Sequence, residues 1–149
     1  MKREILFRGK RICENKNWVE GCLLNLDADS GHVFIVPFFH GASTLPICRI
    51  VEYTYAYVNP ETVGQFTGLT DKNGKKIFEG DIIRAKIEDG NHSGFTWPNM
   101  QVDFQQGSFC LNDRNGYVFC VLGAFAQSVT FEVIGNIYDN PELLEGGVE

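Results

Sequence analysis

The chain has 149 residues, 44% of them hydrophobic and 13% aromatic, with a formal net charge of −6. That length suits one domain or two small ones, and that apolar content excludes a wholly disordered chain. No apolar run approaches the roughly 20 residues that span a bilayer. The N-terminus "MKREILFRGKRICENK" also lacks the apolar core of a secretory leader, so a cytoplasmic protein with no membrane partner is expected.

The charge is unevenly placed: residues 1–16 carry +4 and residues 91–149 carry −6. A basic end on an acidic body offers two readings. Arg8, Lys10 and Arg11 are candidate phosphate contacts, because neutralising phosphates dominates nucleic-acid affinity. Alternatively, cations flanking an edge strand discourage sheet-to-sheet association, and the acidic remainder repels DNA. The second reading is preferred.

Along the chain the signal is strand. "REILFR" and "WVEGCLLNL" are short runs separated by a polar connection, then comes the turn cluster "DADSG" and the β-branched run "HVFIVPFF". Pro37 near the end of that run suits an edge or a bend. "CRIVEYTYAYVNP" alternates clearly, with Tyr53, Tyr55 and Tyr57 on one side. Such a tyrosine row could stack nucleic-acid bases. It more often lines a half-buried sheet face, and no basic residue interleaves with it.

After Asn59-Pro60 the character changes, which divides the chain into residues 1–60 and 61–149, either two subdomains or halves of one compact unit. "DKNG" carries Asn73-Gly74, a strong hairpin signal because both residues tolerate the positive φ of a tight turn. "EGD" at Glu79–Asp81 is a second bend, and "IIRAKI" continues as a strand. "EDGNHSGFTWPN" is a long polar loop bearing Phe95 and Trp97. Long loops without secondary structure are uncommon unless functional, and exposed aromatics serve as interface anchors, so Phe95 and Trp97 are the candidate interaction surface. The competing reading folds Trp97 back as a lid. "MQVDF", "SFCL", "YVFCVL" and "VTFEVIGNIY" then follow at a spacing that suggests a small SH3-like barrel or a strongly curled sheet. At the end Asn140 is placed to cap and Pro141 to open a short helical turn over "ELLE". The fold class is mostly β, α+β, with a β-rich N-terminal part and a barrel-like C-terminal part.

Chemistry is harder to find. Five cysteines with no CxxC, and dispersed His32, His40 and His92, argue for free thiols and against a zinc site. The nearest cysteine pairs, Cys13/Cys22 and Cys110/Cys120, are spaced too widely for a knuckle. Phosphate-loop, dinucleotide, HExxH and GxSxG patterns are absent. "TDKNGKKIFEGD" fails as a calcium loop, since Lys75 and Lys76 occupy its middle. An enzyme would rest on Asp81, His92 and Asp103 converging, and nothing in the spacing requires that. No catalytic residue, cofactor or metal is expected.

Three blocks carry a resemblance: "REILFR", "VGQFTGLTDKNGKKIFEGDII" and "FEVIGNIYDNPELL". In this order they resemble the YopX family of phage and prophage proteins, which is distinct from the secreted Yersinia effectors. One departure is visible: Gly9-Lys10 follow "FR" where family members often continue with alanine and tryptophan. The resemblance implies a phage-encoded protein, cytoplasmic in a bacterial host, of β-rich fold. It carries over no activity and no site residue. The shared residues Gly68, Asp71, Gly74, Gly80, Asp81, Gly135, Asn136 and Pro141 read as turn formers and caps. The functional expectation is a non-enzymatic accessory module that binds a host or phage protein or self-assembles into a homo-oligomer. Nucleic-acid binding through Arg8, Lys10, Arg11 and the tyrosine row is the alternative.

Overall fold

The computed structural model describes residues 3–12, 16–27, 31–37, 56–87, 97–124 and 128–145. Within them the chain is mostly β, in antiparallel sheets, and it parts into two compact units, Met1–Phe66 and Thr67–Glu149.

In the first unit, β1 (Phe7–Lys10), β2 (Trp18–Asp27), β3 (His32–Val36), β4 (Ala56–Val58) and the start of β5 (Gly64–Thr70) take the order β4-β3-β2-β1-β5. The "REILFR" strand begins later than expected and extends into Gly9-Lys10. Glycine at these positions has a packing reason. A Cβ on Gly9 would meet the Val58 side chain at 3.0 Å, and one on Gly21 would run into the Val36 carbonyl oxygen. The end of β1 reaches β4 through a single bridge, Arg11 to Val58, with Ile12 N donating to Tyr57 O at 3.1 Å. Asn59 N returns a bond to Lys10 O at 2.9 Å. Val19, Ile35 and Val58 form the buried centre of this unit. A 3-10 helix over Pro60–Thr62 starts at Asn59, whose side chain accepts from Glu61 N.

The second unit holds the rest of β5, β6 (Lys76–Phe78), β7 (Asp81–Ile87), β8 (Met100–Gln105), β9 (Ser108–Asn112), β10 (Val118–Val121) and β11 (Val129–Asn136). The β5–β6 hairpin forms where Asn73-Gly74 indicated, but its turn is wider than a two-residue one. Gly74 has φ +79° whereas Asn73 is not in the left-handed region, and Asp71 N donates to Lys75 O across a longer loop. The Asp71 side chain, described below, organises that loop.

The main sheet runs β10-β9-β8-β7-β11 and is open, so the expected barrel-like closure is not seen among the described residues. Strand spacing alone could not decide this, because closure depends on long-range pairing of the two end strands. Its buried face packs Ile83, Ala85, Met100, Val102, Leu111, Phe131 and Val133 around Ile77. The "EGD" bend is as expected: Gly80 has φ +86°, and the Asp81 carboxylate accepts from Phe78 N at 2.8 Å. The chain's last element is a 3-10 helix, Pro141–Leu144. Asn140 precedes it without making the expected cap bond; its Oδ1 instead lies 3.4 Å from Asn136 N, as acceptor. Gly135 makes room for this, since a Cβ there would lie 2.6 Å from Asn140 Oδ1.

Candidate interaction edge

An open sheet has two edges, and unpaired N–H and C=O groups along them invite another strand. The two edges of the C-terminal sheet are treated very differently by the sequence.

At β11, the turn of the β5–β6 hairpin comes alongside the strand. Lys72 N donates to Phe131 O at 2.9 Å, and Asp71 Oδ2 accepts from Val133 N at 3.1 Å. Asp71 Oδ1 accepts from Asn73 N and Lys75 N at 2.8 and 2.9 Å. One buried carboxylate thus shapes its own turn and satisfies the neighbouring edge. Burial pushes the Asp71 carboxyl up. The bonds from Val133, Lys75 and Asn73, with the Lys75 charge, outweigh that and hold it below the ordinary aspartate value. Outside this, Lys72 Nζ meets Glu132 at 3.0 Å, an exposed ion pair that places charge on the same edge.

At β10, β9 is the neighbouring strand, and the other side of β10 has no strand against it among the described residues. Tyr117, Val118, Phe119 and Val121 are 73, 49, 53 and 50% exposed. The hairpin that presents them is firm. Asp113 Oδ1 accepts from Asn115 N and Tyr117 N at 2.8 and 2.9 Å, and Asp113 N donates to Tyr117 O. A bulge falls between Val118, opposite Asn112, and Cys120, opposite Leu111. The bulge puts Phe119 and Cys120 together on the core side, where Cys120 and Trp97 pack on the core and Trp97 meets Phe119 at 4.9 Å. Val118 and Val121 lie opposite Asn112 and Cys110 on the other side. The strand therefore shows apolar groups on both faces as well as an edge that no strand covers among the described residues.

Near the same hairpin a cleft of about 400 Å³ is lined by Pro98, Asn99, Asp113, Arg114, Asn115, Leu144 and Glu145. Asn99 Nδ2 donates to Leu143 O at 2.8 Å, which ties the approach to β8 to the C-terminal 3-10 helix.

The residues anticipated from sequence fall as follows. Trp97 is half-buried against the core, and its contact with Phe119 puts it beside the exposed strand. Phe95, Tyr53, Tyr55 and His92 lie outside the described residues. Tyr57 is half-buried against His32 and Phe34, with ring centroids at 5.1 and 5.5 Å. Arg8 is 8% exposed with its guanidinium 4.8 Å over the Trp18 ring, an arrangement that leaves little of it to meet a phosphate. Arg11 is half-buried, with a buried Nε that has no hydrogen-bond partner among the described residues, and Lys10 is half-buried. These side chains do not form an exposed basic stripe.

The acids considered for catalysis are engaged structurally. Asp81 is 1% exposed. Asp103 Oδ2 accepts from Gln105 Nε2 and Asn112 Nδ2 at 2.8 and 2.9 Å, and Asn112 is fully buried. Burial, and secondarily Cys110, raise the Cys120 thiol, which keeps it protonated and a poor nucleophile. Among the described residues no group of three or more His, Cys, Asp or Glu is placed to hold a metal ion.

The exposed β10 residues were not singled out from sequence, although a signal was present. From Asn115 to Phe131 the chain has no charged residue, an uncharged stretch of 17 in an acidic protein. No helix among the described residues is long and apolar enough to cross a membrane.

Two solved structures are similar to this chain. Protein EF1440 from Enterococcus faecalis matches at 26% identity and a TM-score of 0.52, over 96% of this chain and 99% of that one. Protein yopX from Bacillus subtilis matches at 18% identity and a TM-score of 0.50, over 93% of this chain and 96% of its own, a likeness of fold. No curated protein matches this sequence. The family model described as "YopX protein" matches residues 6–145, nearly the whole chain, with the second and third of the blocks that carried the resemblance and the end of the first, and the chain belongs to the YopX family.

Proposed function

We propose that this protein is a non-enzymatic accessory module of a phage or prophage, working in the bacterial cytoplasm through protein contacts that include its own copies. The observation that carries this reading is the β10 edge. A firm hairpin holds Tyr117, Val118, Phe119 and Val121 out to solvent, while the opposite edge of the same sheet is closed. Fully covering a side chain such as Val or Phe stabilises a complex by about 1.5–3 kcal/mol, so a partner that covers several gains considerably. The engagement of Asp81 and Asp103 in structural bonds favours binding over catalysis. The buried, ring-stacked position of Arg8 favours a protein over a nucleic acid.

The test is a pull-down of tagged protein from its native host with and without nuclease, run beside a Phe119→Lys variant. A discrete protein, the untagged chain included, that survives nuclease and is lost with Phe119→Lys is the expected result. Recovery of nucleic acid, with every partner lost on nuclease treatment, would overturn the reading and direct attention to Lys10 and Arg11.

A further inference from the structure

The geometry points to a second copy of this chain as the occupant of the β10 edge, bound antiparallel about a two-fold axis so that two five-stranded sheets run on into one. This rests on the interaction reading above and names its partner.

Charge supplies the first argument. Copies of a chain with net charge −6 repel one another on average, and the repulsion is least where no charge is present. The uncharged stretch from Asn115 to Phe131 contains all of β10, so two-fold pairing lays a neutral strand on itself. At the hairpin tip the only charges are Asp113 and Arg114, of opposite sign, and in an antiparallel pair that tip falls beside the uncharged far end of the other strand.

Closure supplies the second. A β10 edge that paired head-to-tail with the β11 edge of the next copy would build an open-ended fibre. That pairing is blocked, because Asp71 and Lys72 already take up Val133 N and Phe131 O, and the Lys72–Glu132 pair stands beside them. Of the two edges of the five-stranded sheet, β10 meeting β10 is the arrangement that remains, and it stops at two. The third argument is the two-sided exposure. A paired strand covers Phe119 beside Trp97 on one face and Val118 with Val121 on the other. The bulge at Phe119 shortens the ladder, so side-chain burial contributes much of the association.

Sedimentation velocity of the full chain over a wide concentration range tests this, with Val118→Lys and Phe119→Lys as separate variants and circular dichroism to verify their fold. The expected result is a monomer–dimer equilibrium that goes no further, with each lysine weakening it at least tenfold. Both side chains are exposed, so folding should survive, and a Val121→Lys variant provides a third reading at the same edge. Three results would overturn the inference: a monomer at every concentration, a dimer indifferent to all three lysines, or growth beyond two. The interaction reading is judged separately by the pull-down. A chain that stays monomeric yet captures a different protein through Phe119 keeps that reading while refuting the second copy, and shows that the edge takes a foreign strand.

Discussion

The two edges of the C-terminal sheet face the same physical problem and answer it in opposite ways. β11 is shut by a turn that lends it a carboxylate and a backbone N–H, with an ion pair outside. β10 carries no charge and no proline, no strand covers it among the described residues, and half or more of each of Phe119 and Val121 is exposed. Edge protection is a common property of β proteins, and the edge that lacks it among the described residues is the one the proposed pairing uses.

The comparison breaks most severely at Asp71. Asp71→Ala removes an acceptor for three backbone N–H groups, two in the turn and one on β11. Urea unfolding should show a loss of about 2–4 kcal/mol, the range for losing charged hydrogen bonds in a buried site. With the β11 edge opened, the variant should also associate beyond a dimer by light scattering.

Acid should do the same more gradually. The Asp71 carboxyl is held below its ordinary value, so the unfolded state takes up its proton first as pH falls. Its contribution is complete above the ordinary aspartate range and is lost as pH drops through the lower folded value. Asp71→Asn should flatten that part of the stability–pH curve, read by denaturant midpoints at successive pH values. An unchanged acid limb would show that other carboxylates set it.

Smaller effects sharpen the contrast. Lys72→Ala removes an exposed ion pair while keeping the backbone bond from Lys72 N to Phe131 O. It should cost less than about 1 kcal/mol, as surface pairs do, and leave the assembly state unaltered. Val118→Lys should change monomer stability least, within about 0.5 kcal/mol by thermal unfolding, as surface substitutions do, and Phe119→Lys should cost up to about 1.5 kcal/mol through its contact with Trp97. Their effect belongs to association instead.

Much of the closed edge was legible in the sequence. Asp71 and Gly74 sit in the most recognisable stretch of the chain, and both serve the turn as expected. What local reading missed was that Asp71 also reaches Val133, a partner 62 residues away. The open edge was hidden for a different reason. "YVFCVL" reads only as another strand, because a continuous apolar run has no alternation to mark one face as exposed, and the bulge at Phe119 disturbs what alternation there is. Trp97 drew notice as an aromatic in a polar loop, and its packing on the core and against Phe119 depends on contacts that the loop's own residues do not reveal. Arg8 illustrates the same limit in the first unit: its charge was visible, but its stacking on Trp18 depends on the β1–β2 register, which pairs Lys10 with Trp18 and Arg8 with Glu20. Closure of the sheet into a barrel is likewise a long-range outcome that strand spacing does not determine.

The most direct measurement is residue-resolved amide hydrogen exchange on the full chain at low and high protein concentration, comparing β10 with β11. At low concentration Val133 N–H should be well protected by Asp71, while the outward amides of β10 exchange quickly. At high concentration the β10 amides should slow markedly, with β11 unchanged. If β10 is as unprotected at high concentration as at low, or if the added protection appears on β11, the assignment of one closed and one receptive edge is contradicted.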